Sequence, residues 1–411
     1  SVFDGIRNPE NEDIKYYYPT NDLVTAPEIL FFWVARMIMA GQEYRKEVPF
    51  KNVYLTGIVR DKLGRKMSKS LGNSPDPIKL IEQYGADGVR VGMLLTSPAG
   101  NDLPFDESLC EQGRNFSNKV WNAFRLIKGW EVDKNLQQPM YAALAVTWFR
   151  ARFNQALTEI NDHYDKYRLS DALMGVYKLV WDDFCSWFLE MIKPAYQQPI
   201  DAQTYKAAVS LLSDLMQVLH PFMPFITEEI WHLLYGENAG SIMVSQMPVP
   251  KKYDEKMLDH FPYTLEIVTS IRSIRKDKNI PIKDKLDLFI LKPGNEIPNL
   301  LFDSLIEKLC NLTPIKYVNE KVTGASSFII KGNEFYVPLG DKIDVAAEIE
   351  KLNQELAYTQ GFLKSVMVKL SNERFVANAK PEVVEVERRK MADAESKIKA
   401  IEEQISMLKN S

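Results

Sequence analysis

The chain has 411 residues, of which 45% are hydrophobic and 26% charged, and a formal net charge of −4 at pH 7. Such a length exceeds what one hydrophobic core serves, so three or more domains are expected, with the residue balance of an ordinary soluble globular protein. The longest apolar run, 29–40, carries Arg36 and is too short to cross a bilayer, the three scattered cysteines (Cys110, Cys185, Cys310) exclude a disulfide scaffold or a cysteine zinc site, and the slight acidity leaves nucleic-acid binding to local clusters of charge.

The first residues lack a basic, apolar and small-residue succession, so no signal peptide is expected and a reducing cytoplasm is the expected compartment. The chain opens at Ser1 rather than Met, which reads as a cut inside a domain, and Ile14-Lys15-Tyr16-Tyr17-Tyr18 reads as a strand. Val53 to Val59 is β-branched and aromatic and predicts a strand, followed by the turn-rich Arg60-Asp61-Lys62-Leu63-Gly64. Asp76-Pro77 predicts a helix start that runs to Gly85. Alternation of strand and helix over 1–112 predicts an α/β layer with parallel strands.

From 113 to 239 the pattern is helical. Ala208, Leu211, Leu212, Leu215, Val218 and Leu219 recur at three- and four-residue steps, and similar stripes run through 112–128, 141–164 and 170–192, which predicts a bundle of four or five long helices. Residues 240–340 predict a small α/β domain, with helices at 264–276 and 298–310 and strands at 286–291, 315–319, 327–331 and 334–338. Residues 341–411 predict an antiparallel coiled-coil hairpin: Ile349, Leu352, Leu356, Thr359, Leu363, Val366 and Leu370 form one seam, and Met391, Ala394, Ile398, Ile401, Ile405 and Leu408 the other. Pro381 cannot continue the first arm, so the turn is expected between 371 and 381.

Lys66-Met67-Ser68-Lys69-Ser70 stands between Gly64 and Gly72. Two lysines with neighbouring hydroxyls on a glycine-flanked loop suit a lid that closes over a polyphosphate and stabilises charge on a leaving group. A basic surface turn is the bland alternative. The run is identical to the second signature of class I aminoacyl-tRNA synthetases, and its continuation through Gly72-Asn73, Asp76-Pro77 and Tyr84-Gly85-Ala86-Asp87 resembles that class. Within it the chain resembles the valyl-tRNA synthetase family: Ile29 to Met37 resembles the valine-pocket helix, Arg114 to Asn122 the entry to the anticodon domain, Leu219 to Trp231 the shared helical domain, and the final hairpin the tRNA-contacting arm.

The resemblance implies a partial Rossmann-like catalytic domain (its C-terminal half), an all-α anticodon-binding bundle, a small α/β junction domain and the coiled-coil hairpin. It implies ATP with Mg2+ as substrate, valine and tRNA(Val) as partners, no membrane and a monomer. Lys66 and Lys69 would act on the phosphates, with Met67, Ser68 and Ser70 completing the ATP-binding loop. Glu28 stands where many members have an aspartate that contacts the ribose, and Gly57, Ile58 and Val59 would set backbone against adenine. Ile29 and Trp33 match valine-pocket positions. An i, i+4 spacing puts them on one helical face, although residue type alone favours plain core packing.

For tRNA, Arg272, Arg275 and Lys276 lead a basic stretch continued by Lys278, Lys283 and Lys285, and Lys364, Lys369, Arg374, Arg388 and Arg389 cluster toward the hairpin turn. A solvated charged face is an equal alternative for both groups. Trp121, Trp130, Tyr141 and Trp148 are aromatic candidates for stacking on splayed bases, against the commoner role of core. The first class I signature needs a histidine pair, and the histidines here (His163, His220, His232, His260) are single and late; the inserted editing domain has no counterpart either. Little aminoacylation is therefore expected from this chain alone. A non-catalytic tRNA-binding module with a vestigial nucleotide loop is the competing reading.

Overall fold

The computed structural model describes residues 10–68, 70–95, 102–292, 301–339, 345–371 and 381–409, and of Glu237 and some residues of the last two helices only the backbone. Two compact units are present, Ser1–Leu258 and Asp259–Ser411. Among the described residues no helix is long and apolar enough to cross a membrane.

Among the described residues of the first unit the first element is the helix Glu12–Tyr17, where a strand was expected. Asn11 accepts the Ile14 N–H at 3.1 Å as its cap, and Glu12 and Asp13 occupy the first turn. These local capping terms favour the helix over the β propensity of the three tyrosines, and Tyr16 and Tyr17 stay exposed. Next come two parallel strands, Thr20–Thr25 and Phe50–Leu55, in the register Thr20↔Phe50 to Thr25↔Leu55. The crossover that parallel pairing requires contains the 3-10 turn Pro27–Ile29, the wide π-turn Leu30–Val34 and the helix Ala35–Tyr44. The expected strand over 53–59 is interrupted: after Leu55 the chain steps sideways, and Val59–Arg60 pairs in parallel with Leu103–Pro104.

Asp76 caps the helix Pro77–Tyr84 by accepting the Ile78 N–H at 3.0 Å, and Gly85, at φ 76°, ends it. The helix Ala86–Leu95 then lies tight against Glu107–Lys128. A Cβ at Gly113 would stand 2.3 Å from the Gly88 carbonyl oxygen, so only glycine permits this approach.

The remainder of the unit is built on the helices Glu107–Lys128, Met140–Asp165, Leu169–Lys178, Ala202–Leu219 and Pro224–Tyr235, with one short parallel strand pair, Val132–Asp133 and Ile200–Asp201. The stripe expected as one helix over 170–192 passes through π-turns at Leu179–Phe188 before it regains α geometry. Phe116, Trp148, Phe149, Phe184 and Phe188 are fully buried here, with the Phe149 and Phe188 rings stacked at 4.9 Å. Each such aromatic removes a large apolar area from water and adds to the cohesion of the bundle.

In the second unit a four-stranded sheet has the order Lys316–Val318, Phe289–Leu291, Asn333–Pro338, Ala325–Ile330. Its first pair is parallel and the other two are antiparallel. The hairpin between the last two strands turns on Lys331 and Gly332, both at positive φ (47° and 83°), the geometry that matches strand twist. The helix Glu255–Asp277 and the helix Asp303–Cys310, which starts later than the expected 298, pack beside the sheet through Phe261 against Phe302 and Tyr263 against Phe335.

The chain ends in two helices, Val345–Ser371 and Pro381–Lys409. Leu352, Thr359 and Val366 are buried at seven-residue intervals, as are Glu387, Ala394 and Ile401. Leu352 packs with Ile401 and Ile405, while Lys369 approaches Glu387 at 3.8 Å, so the helices run antiparallel. The connecting turn lies outside the described residues.

Candidate functional site

The signature loop is built around a residue that sequence reasoning passed over. Asp61 accepts the Leu63 N–H at 3.0 Å and the Arg65 N–H at 2.8 Å on Oδ1, and the Arg65 guanidinium and the Asn73 amide on Oδ2 at 2.8 and 3.0 Å. Asn73 also accepts the Ser68 N–H at 2.9 Å and donates to the Lys66 carbonyl at 3.3 Å. The Asn73 amide, backed by Arg65 and the Leu63 N–H, holds the Asp61 carboxyl down to about 2. Gly64 and Gly72 take positive φ (75° and 63°), which lets the loop leave and rejoin this anchor. The available signal was polar residues bracketing the lysine run, Asp61 before and Asn73 after.

On this frame the Lys66 ammonium projects outward and meets Glu28, donating to Oε1 at 3.1 Å and Oε2 at 2.8 Å. The structure thus joins the residue expected at the phosphates to the residue expected at the ribose. Met67 and Ser68 are half-buried, and Ser68 Oγ lies 3.2 Å from Ser70 Oγ and accepts the Leu71 N–H. Lys69 lies outside the described residues. Gly57, Ile58 and Val59 are half-buried beside the loop, and the Ile58 carbonyl accepts the Leu103 N–H at 2.8 Å, so that backbone group serves the sheet.

Ile29 and Trp33 are not core residues. They are 39% and 53% exposed, and Phe31 and Phe32 are 82% and 67% exposed. The helical-face argument also changes: Ile29 belongs to a 3-10 turn and Trp33 to a π-turn, and α geometry begins only at Ala35. The Arg36 guanidinium sits 5.6 Å from the Trp33 ring centre.

A second polar assembly joins the helix Ala86–Leu95 to the helical body. Asp87 accepts the N–H groups of Phe225 and Ile226 at 3.3 and 2.8 Å, and Arg90 donates to the carbonyls of Phe222 and Pro221 at 3.1 and 3.0 Å. Burial pushes the Asp87 carboxyl above its ordinary range against the pull of these donors. His220 Nδ1 lies 2.7 Å from Thr227 Oγ1, and His232 Nε2 lies 2.9 Å from Glu228, so both histidines serve the fold of this motif. A cleft of about 420 Å³ opens beside the assembly, lined by Gln83, Asp87, Arg114, Ser117, Asn118 and Phe225, among others.

The expected RNA contacts divide. Arg272 and Lys276 are exposed. Arg275 is 5% exposed and donates to the carbonyls of Pro281, Asp284, Cys310 and Asn311, so it staples a turn and cannot reach a phosphate. Burial lowers its pKa, with Asp284 among the groups opposing that shift. On the hairpin, Lys364 and Arg388 are exposed, while Lys369 and Lys390 flank the buried Glu387 at 3.8 and 2.8 Å. Arg374 and the Arg389 side chain lie outside the described residues. Of the aromatic candidates, Trp148 is buried in the bundle core, and Trp121, Trp130 and Tyr141 are half-buried. Among the described residues no group of three or more His, Cys, Asp or Glu side chains is arranged to hold a metal ion.

Three stretches of the chain match known families. Residues 2–106 match the family described as tRNA synthetases class I (I, L, M and V), 147–290 the anticodon-binding domain of tRNA ligase, and 344–409 the valyl tRNA synthetase tRNA binding arm. The chain is 59% identical over 409 residues to the valine–tRNA ligase of Christiangramia forsetii, covering 99% of this chain and 46% of that one. It is 57% identical to the Bacteroides thetaiotaomicron valine–tRNA ligase over 412 residues, covering 100% of this chain and 46% of that protein, and 37% identical to that of Clostridium acetobutylicum over 416 residues, covering 97% and 47%. The chain therefore spans just under half the length of the curated relatives it matches. Among solved structures, the Agrobacterium radiobacter K84 agnB2 LeuRS–tRNA–LeuAMS complex aligns at TM-score 0.45 and 18% identity over 62% of this chain and 32% of that one. Mycobacterium tuberculosis methionyl-tRNA synthetase with methionyl-adenylate aligns at TM-score 0.45 and 19% identity over 61% and 52%.

Proposed function

This chain belongs to the valyl-tRNA synthetase family, and from that premise we propose that it supplies the ATP-lid, anticodon-binding and arm portions of a valine–tRNA ligase. The reaction has two steps. The valine carboxylate attacks the α-phosphorus of ATP, forming a carboxyl–phosphate bond as pyrophosphate leaves; the terminal ribose hydroxyl of tRNA(Val) then takes the valyl group and releases AMP. Mg2+ enters with ATP as part of the substrate. Lys66 and Lys69 offset the charge that gathers on the departing phosphates, and Ser68, Ser70 and Met67 shape the loop that carries them.

The observation that carries this reading is the loop itself. It is anchored by Asp61 and Asn73 and presents Lys66 at 2.8 Å from Glu28, so a phosphate-directed cation and a carboxylate able to accept ribose hydroxyls stand side by side. Gly57, Ile58 and Val59 line the same region for adenine, and the exposed Ile29 and Trp33 offer an apolar wall for the valine side chain. Such a wall separates near-isosteres only about a hundredfold.

The exposed Arg272 and Lys276, with Lys364, Lys369, Arg374, Arg388 and Arg389 of a coiled-coil arm, contact the tRNA backbone, with the helical body at the anticodon. The protein acts as a cytoplasmic monomer. Because its histidines are single and His220 and His232 are occupied within the helical motif, the chain by itself binds substrates without charging tRNA. Equilibrium titration tests the proposal: tRNA(Val) should bind about tenfold or more tighter than a non-cognate tRNA, and Mg·ATP should protect the 61–73 loop from proteolysis. Equal affinity for both tRNAs together with an unprotected loop would refute it.

A further inference from the structure

Two motifs that the sequence singles out, Tyr84-Gly85-Ala86-Asp87 and His220-Pro221-Phe222-Met223-Pro224, have no part in the chemistry above, yet they meet. The helix Pro224–Tyr235 has no side-chain cap of its own, since its N-cap position is Met223. The missing acceptor comes from 138 residues away: Asp87, 6% exposed, takes the Phe225 and Ile226 N–H groups. One turn beyond Asp87 on the helix Ala86–Leu95, the Arg90 guanidinium donates to the carbonyls of Pro221 and Phe222. A carboxylate and a guanidinium on one helix face thus satisfy donors and acceptors of a single turn, which fixes both the position and the rotation of that turn.

The helix bearing both residues is separated from the lysine loop only by the helix Pro77–Tyr84 and the Gly85 turn, and it is pressed backbone to backbone on Glu107–Lys128 through Gly88 and Gly113. Slippage at residues 221–226 would therefore shift the helix Pro224–Tyr235, and the part of the helical body it carries, against the loop side of the unit.

We infer that Asp87 and Arg90 are positioning residues for tRNA docking: they set the spacing between the loop side of the unit and the helical body. The inference rests on the proposed tRNA-binding function. An RNA held at both ends gains affinity through the high effective concentration of its second contact, and this gain disappears when the two sites are misaligned. The device predicts a specific pattern of loss rather than a general one.

The test uses this chain with Arg90→Gln, Arg90→Lys and Asp87→Asn, and two RNA probes: a whole tRNA(Val) transcript and its isolated anticodon hairpin. Arg90 is at the surface, so Arg90→Gln is expected to fold and decides the matter if Asp87→Asn does not. The expected result is that Arg90→Gln weakens whole tRNA about tenfold or more and leaves the anticodon hairpin unchanged, with Arg90→Lys recovering part of the loss. Equal weakening of both probes would mark a merely structural role and overturn the inference, as would no change in either. If the unsubstituted chain binds neither RNA, the proposed function falls and this inference with it, an outcome distinct from the other two.

Discussion

Asn73 reaches back twelve residues to donate its amide to Asp61 at 3.0 Å while its own carbonyl oxygen accepts the Ser68 N–H at 2.9 Å. The pair converts a glycine-flanked lysine run into a loop with a fixed base and an exposed tip. Replacing Asn73 with Ala removes three hydrogen bonds, each worth about 1 kcal/mol net. Tryptic cleavage after Lys66 should then accelerate by about tenfold or more while the global unfolding midpoint stays nearly constant. Unchanged cleavage would show that the loop is held by something other than Asn73.

The same anchor should be acid-sensitive. The Asp61 carboxyl is held at about 2, below the ordinary aspartate value, so its folded form binds protons less readily than its unfolded form. Its stabilising contribution is complete above the ordinary value near 4 and is lost as pH falls through about 2. Amide protection at Leu63 and Arg65, whose N–H groups point at Oδ1, should disappear in that window and should already be weak at neutral pH in Asp61→Asn.

The Lys66–Glu28 pair should matter little for stability. Their side chains are 61% and 48% exposed, and such pairs contribute less than about 1 kcal/mol. Glu28→Gln is expected to leave thermal unfolding unchanged within experimental scatter and to alter Mg·ATP binding measured by calorimetry, since it frees Lys66 and weakens the proposed ribose acceptor. A large loss of stability would contradict the exposed geometry.

Arg275 and its neighbours offer a contrast on one helix. Arg275→Met removes four hydrogen bonds to carbonyls, of which, among the described residues, only those of Pro281 and Asn311 keep a backbone donor, and should destabilise the second unit by about 3 kcal/mol in urea unfolding. Arg272→Ala and Lys276→Ala should be nearly neutral for stability, and each should reduce the salt dependence of tRNA binding by about one phosphate contact. The reverse pattern would restore Arg275 as an RNA ligand.

Asp303 carries the opposite titration. Burial pushes its carboxyl up to about 6, against the pull of the Tyr317 hydroxyl that donates to it at 2.9 Å. The folded state therefore holds a proton that the unfolded state releases, and stability from this group falls as pH rises from about 4 to about 6. Asp303→Asn keeps an acceptor for Tyr317 and removes the penalty. It should raise stability above pH 6 by about 1–2 kcal/mol, a figure reduced for the site's partial exposure, and leave acidic stability unchanged. A flat pH difference between the two proteins would refute this.

By itself the sequence determined what depends on local order. The lysine loop between its glycines, the Asp76-Pro77 helix start, the stripe through Leu211, Leu215 and Leu219, and the seven-residue spacing of Leu352, Thr359 and Val366 are each written within a few turns of chain. Tertiary structure decided whatever depends on a distant partner. Arg275 and Arg272 are alike in sequence, yet the carbonyls of Cys310 and Asn311 bury the first and leave the second exposed. Ile29 and Trp33 have core-like side chains, and only the folded crossover shows them facing outward. Asp87 looks like an ordinary helix-start acid until the backbone it caps arrives from residues 225 and 226. The physical reason is the same in each case: apolar periodicity and caps act between neighbours, whereas the energy of a buried charge is set by which donors and acceptors the fold brings to it.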